Sequence, residues 1–166
     1  MGKQYELFER VDPAIVRWMG KNGISLLRIS LGVVFVWFGV LKFFPGLSPA
    51  QELVGATISD LFFGAVTPDV SLPVLAGWEC MIGIGLVTGR LLRLTLFLLF
   101  VQMPGTIAPL FMYPELCFTH PPFVPTIEGQ YIIKNLVLVS AGIVVGATVR
   151  GGKIDVQGAS RQATVS

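Results

Sequence analysis

The chain has 166 residues, of which 53% are hydrophobic and only 13% charged, and its mean hydropathy is +0.74. A soluble domain carries about 25% charged residues, so the expected solvent is lipid. A net charge of +2 without a basic run argues against nucleic acid, and one histidine (His120) with two cysteines (Cys80, Cys117) excludes a bis-histidine haem, a four-ligand Cys/His zinc site and a CxxC motif, so no metal centre is expected.

Residues 1–23 carry charges throughout and lack the apolar core of a cleavable signal peptide. Asp12-Pro13 can open a short helix, with Asp12 as cap and Pro13 in its first turn. Ile15, Trp18 and Met19 then share one side, which reads as an amphipathic cytoplasmic leader on the membrane surface. The first span is expected over about residues 24–44. No charge falls between Ile29 and Leu41, and with flanking turns this stretch reaches about 20 residues, enough to cross a layer of about 30 Å. Ser25, Gly32 and Gly39 recur every seven residues and form a small-residue stripe suited to close helix contact.

Ser48-Pro49 opens a further helical signal of about 15 residues, with Ser48 as its expected cap. It carries Glu52 and Asp60 and is too short and polar to span, so it is expected as an interfacial or re-entrant helix. The second span, about 72–89, is glycine-rich, contains Glu79 and Cys80, and ends in the packing pattern Gly85-xxx-Gly89. The third, about 91–113, holds Gln102, Pro104, Gly105 and Pro109 in its second half. Each proline removes a backbone donor, which predicts a kinked or broken helix facing the bundle interior. Residues 114–129 read as a proline-rich loop with Cys117 and His120. Cys80 reads as a packing residue inside the bilayer, which disfavours a bridge to Cys117, and His120 reads as a loop cap. The fourth span, about 130–149, begins with Lys134 and Asn135, and the polar tail 150–166 is expected to be disordered and cytoplasmic. The fold class is therefore all-α: an integral membrane four-helix bundle with a short interfacial or re-entrant helix after the first span.

Ten of the 12 basic residues fall on one side of this four-span layout: Lys3, Arg10, Arg17, Lys21, Arg28, Arg90, Arg93, Arg150, Lys153 and Arg161. The two long connections on the other side carry only acids. By the positive-inside rule both termini face the cytoplasm. Lys42 and Lys134 are the exceptions, each about one turn inside the outer end of its span. Each can snorkel. Glu79, two turns deep, is too short to do so and must be protonated, paired or wet. These residues predict a polar pocket in the outer half of the bundle, lined by Lys42, Glu79, Gln102, Lys134 and Asn135, with Trp37 and Trp78 as aromatic walls. Two lysines to one glutamate would favour an anion or a polarised carbonyl, such as a small oxyanion or a quinone head group.

The stretch RISLGVVFVWFGVLKFFPGLSPAQEL resembles the first-span signature of DoxX-like membrane proteins, including the YkgB-like branch: Arg28, Leu31-Gly32, Phe38-Gly39 and Lys42-Phe43 running into Pro45. EGQYIIKNLVLVSAG, with Glu128-Gly129 before Lys134-Asn135, is also similar to that family. The resemblance implies a four-helix bundle in a bacterial inner membrane. Some relatives are subunits of a thiosulfate:quinone oxidoreductase and others are linked to oxidant resistance. With no cofactor site of its own, the chain would need a bound quinone or a redox partner subunit to take part in such chemistry. The competing expectations are a small oligomeric permease for an anion, at least a homodimer, and a ligand-free structural scaffold.

Overall fold

The computed structural model describes residues 2–48, 50–149 and 151–152, with side chains from residue 12 onward. Among the described residues, four helical segments are long and apolar enough to cross a membrane: Asp12–Leu41, Pro68–Thr88, Leu92–Met112 and Ile127–Ala147. The first belongs to α1 (Gly2–Leu41), which is continuous through Pro13. The separate helix expected to start at Asp12 is thus part of a single rod about 60 Å long at 1.5 Å per residue. Pro13 removes one backbone donor, and the helix continues on both sides of it. Of the tail expected from Arg150, only Gly151 and Gly152 lie within the described residues.

The most extensive helix contact joins α1 to α3 (Pro68–Thr88). Its closeness depends on glycine. A Cβ on Gly32 would stand 2.8 Å from the carbonyl oxygen of Gly83 and 2.9 Å from the amide of Val87, while one on Gly39 would meet Cys80 Sγ at 3.0 Å. The stripe of small residues is therefore used inside the bundle. At the other end of this crossing, the Arg28 guanidinium donates to the carbonyls of Leu86 and Val87. It satisfies acceptors that the last turn of α3 leaves free. Leu31, Phe35, Ile82, Leu86, Leu96, Leu99 and Val145 make the main core, drawn from α1, α3, α4 (Leu92–Ile107) and α8 (Asn135–Ala147).

The third span breaks as its prolines predict. It runs as α4, then restarts after Ala108 as α5 (Pro109–Met112). The fourth span is also in two parts, α7 (Ile127–Ile133) and α8, joined at Lys134. Here the Val137 amide reaches back three residues to the Lys134 carbonyl, a local tightening with no proline to announce it. Thr126 caps α7 by accepting from the Gly129 amide at 3.1 Å.

The short helix after the first span is α2 (Gln51–Leu61). Ser48 does not cap it: the N-cap is Ala50, in a left-handed conformation (φ 56°), and no side chain bonds there. The connection expected as a loop holds α6 (Pro114–Cys117) and a small antiparallel hairpin, β1 (Phe118–His120) with β2 (Val124–Pro125). His120 is therefore an exposed strand residue, and its carbonyl accepts from the Phe123 amide in the hairpin turn. Leu53 of α2, Cys117 and Ile132 form a second small core at this end. The Tyr113 hydroxyl donates to Asp60, which fastens α2 to the end of the third span and holds the phenol above its ordinary pKa. Both cysteines are free, and Cys117, expected on an accessible loop, is fully buried, with its thiol pushed up by burial and so a poor nucleophile.

Gly32→Leu should lower thermal stability in detergent by about 1–3 kcal/mol through overpacking, because backbone atoms oppose the new side chain. Gly77→Ala, with nothing within 4 Å of its added Cβ, should not lower the melting temperature, since alanine is the better helix former.

Candidate functional site

Each helix around the end of the bundle that carries α2 contributes residues at helical spacing. Phe35, Phe38 and Lys42 stand at i, i+3 and i+7 along and just beyond α1. Lys42 follows the last helical residue and is fixed by its amide donating to the Gly39 carbonyl at 3.1 Å. Leu75 and Glu79 share a face of α3, and Gln102 and Thr106 share a face of α4. Tyr131, Asn135 and Leu138 do so across α7 and α8. Spacings of three and four residues place side chains on one helix face. These faces converge on one cavity of about 130 Å³. Val54, Thr57 and Ile58 of α2 lie across it as a roof.

At the cavity wall, Lys42 Nζ donates to Glu79 Oε2 at 2.6 Å, with the side chains 3% and 9% exposed. Gln102 Nε2 donates to Glu79 Oε1 at 2.9 Å. Both carboxylate oxygens are thus engaged, one by charge and one by an amide. The Gln102 amide orientation follows from this, since its other end would set two acceptors face to face. Its Oε1 is consequently buried without a hydrogen-bond partner among the described residues. Such an atom invites a donor.

Lys134 does something different. Its ammonium lies 3.9 Å from the Tyr131 ring centroid and 4.4 Å from that of Phe38. The two rings meet edge to face at 5.5 Å. Rings attract a cation through their quadrupole, but they leave the N–H donors free for an acceptor. Lys42–Glu79 is the one ion pair among the described residues, so Lys134 has no carboxylate partner there. It is exposed while also lining the cavity, and the cavity therefore meets the bundle surface beside it. Asn135, next along the chain, is 9% exposed and lines the same cavity.

The five polar residues singled out from the sequence thus line one space; the two tryptophans do not. Trp37 is 65% exposed and sits in a shallow apolar groove with Val33, Ile84 and Val87 on the outside of the α1–α3 pair. Trp78 is half-buried against the main core, and its indole N–H donates to the Leu98 carbonyl at 3.3 Å. The reason is periodicity: Trp37 precedes Phe38, and Trp78 precedes Glu79, by one residue, which is about 100° of helix. The aromatic walls are instead Phe35, Phe38 and Tyr131, legible from the i, i+3, i+7 series on α1 and from Tyr131 standing four residues before Asn135. No group of three or more candidate metal-ligating side chains is present among the described residues.

The family model described as DoxX matches residues 23–114, more than half of the chain. The chain belongs to the DoxX family. No curated protein and no solved structure matches it. Family membership and the four candidate spans together make this DoxX protein a multi-pass membrane protein. Lys42, Glu79 and Gln102 fall within the DoxX match, whereas Lys134 and Asn135 lie beyond its end.

Removing one member of the buried pair strands the other. Lys42→Met should destabilise this DoxX protein by about 3–5 kcal/mol, and the double change Lys42→Met with Glu79→Met should recover most of the loss. Thermal melts of the single and double variants in detergent measure this. A double variant as unstable as the sum of the singles would show that the two groups act separately.

Proposed function

We propose that the chain is a ligand-binding accessory subunit of a membrane redox or oxidative-stress system, holding a quinone-type head group in the cavity beside Lys42 and Glu79. The observation that carries this reading is the cavity itself: mostly apolar walls, about 130 Å³, and at its edge an ammonium and an amide with donors to spare. An apolar protein cavity of about 150 Å³ accepts a benzene ring, so the space suits one six-membered ring. Quinone oxygens accept hydrogen bonds, and Lys134 and Asn135 supply donors. Few precisely placed polar groups in an apolar pocket are what small-molecule sites have in common. A bound quinone supplies electron-acceptor chemistry; the chain's own side chains bind and orient the ring, and a partner subunit delivers the electrons. The resemblance to DoxX-like proteins, including the YkgB-like branch, some of whose wider relatives are subunits of a thiosulfate:quinone oxidoreductase, supports the same reading.

The protein would sit in a bacterial inner membrane with both termini cytoplasmic. The grouping of ten of the 12 basic residues on one side supports this orientation. A second reading, a small oligomeric anion permease, draws on the helix break at Ala108 beside the cavity, since interrupted helices commonly border transport sites.

Duroquinone titrated into the protein in lipid nanodiscs should bind. Leu138→Trp, which fills the cavity, should weaken it by about tenfold or more (about 1.4 kcal/mol), while Trp37→Phe on the outer face should not. Equal binding by the Leu138→Trp variant would rule the cavity out. Tags at either terminus should react with an impermeant reagent only after the membrane is opened; reaction in intact cells would reverse the orientation.

A further inference from the structure

The two lysines at the cavity differ in a way that bears on what the cavity selects. Lys42 is spent: its charge is matched by Glu79 at 2.6 Å, and that carboxylate is shared with Gln102. Lys134 is not. A lysine one turn below a membrane surface ordinarily extends its stem outward to reach water. This ammonium is instead held back over Phe38 and Tyr131, contributed by two different helices, at the edge of the cavity. The break between α7 and α8 falls on Lys134 itself and places Asn135, nine-tenths buried, against the same space. Among the titratable groups lining the cavity, Lys42 and Glu79 cancel, which leaves the charge of Lys134 uncompensated within the described residues. At the mouth of an apolar cavity an uncompensated charge attracts a counter-charge on the cavity side more strongly than it would in bulk water.

We propose that Lys134, with Asn135, makes this cavity selective for a ring-sized ligand whose head carries a negative oxygen, over a neutral head of the same shape. The inference rests on the cavity being a ligand site, as proposed above, and adds the charge of what it holds. Lys134 is the residue that meets the ligand, and the Lys42–Glu79–Gln102 group is a fixed wall. For a head group that exists in neutral and anionic forms, the site holds the anionic form more tightly. For an unrelated ligand, the same chemistry fits an aromatic or short-chain carboxylate.

Benzoate and benzamide test this directly, since they share a ring and differ at the head by one negative charge. Binding is measured by calorimetry on the full chain in nanodiscs of phosphatidylcholine, whose surface carries no net charge. The wild type should bind benzoate at least about tenfold more tightly than benzamide. Lys134→Met and Lys134→Gln should each abolish the preference by lowering benzoate affinity far more than benzamide affinity, and Lys134→Arg should retain it. Arg93→Met, at an exposed site away from the cavity lining, should retain it too. Equal binding of the two probes by the wild type, or a preference that survives both neutral substitutions, overturns the proposal. If duroquinone binds and benzoate does not, charge selection fails while the cavity reading stands. If none of the three probes binds, both fail.

Discussion

A positive and a negative charge withdrawn together from the membrane set the terms for the rest of this bundle. Lys42 and Glu79 come from the two helices in most extensive contact, and each is tolerable at depth only because the other is there. Either charge left unpaired in the interior costs several kcal/mol. Their meeting requires α1 and α3 to lie close along their length. That in turn requires Gly32, Gly39 and Gly83, where any side chain would strike the facing backbone or Cys80. The Arg28 guanidinium anchors the opposite end of the same crossing. The glycines, the arginine and the ion pair therefore act on one geometric quantity, the separation of two helices.

Around that fixed pair the remaining elements are less uniform. The second transmembrane pair is interrupted twice, at Ala108 by the proline that opens α5 and at Lys134 between α7 and α8. Both interruptions border the cavity. Pro109 cannot donate to the carbonyl of Gly105, and Gly105 lines the cavity. Irregular backbone at membrane depth is tolerated where it faces protein or a cavity. The buried ion pair and both helix interruptions are thus gathered at the end of the bundle that carries α2, around the cavity.

Much of this was legible from residue patterns, for reasons that can be named. The four spans follow from lipid acting as solvent, since 20-residue apolar runs with charges only near their ends have few other uses. The buried acid called for a pairing with one of the two lysines, without saying which, because a carboxylate cannot reach water from two turns down. The proline break followed from a missing donor. What was illegible lay where one residue of helical rotation matters, or where local signals conflict with tertiary ones. Trp37 and Trp78 are large and adjacent to the right residues, yet point about 100° away from them. Ser48 carries the chemistry of a cap but stands two residues before the Ala50 cap, because the chain adopts a left-handed turn there. The hairpin 118–125 offers no alternating pattern, only two short segments divided by prolines. The break at Lys134 has no breaker residue at all. Lys134, at that break, meets two aromatic rings rather than Glu79.

The spacing of the buried pair along the chain has a consequence for biosynthesis. Lys42 precedes Glu79 by 37 residues, and at about 5–20 residues per second the ribosome needs about 2–7 s to bridge that gap. During this interval the first hydrophobic segment is complete while its lysine has no glutamate to pair with. A position one turn from the headgroups lets the ammonium wait in the interface until the glutamate arrives. Placing that lysine two turns deeper would leave the nascent chain with a bare charge in hydrocarbon before its neutralising group had been translated.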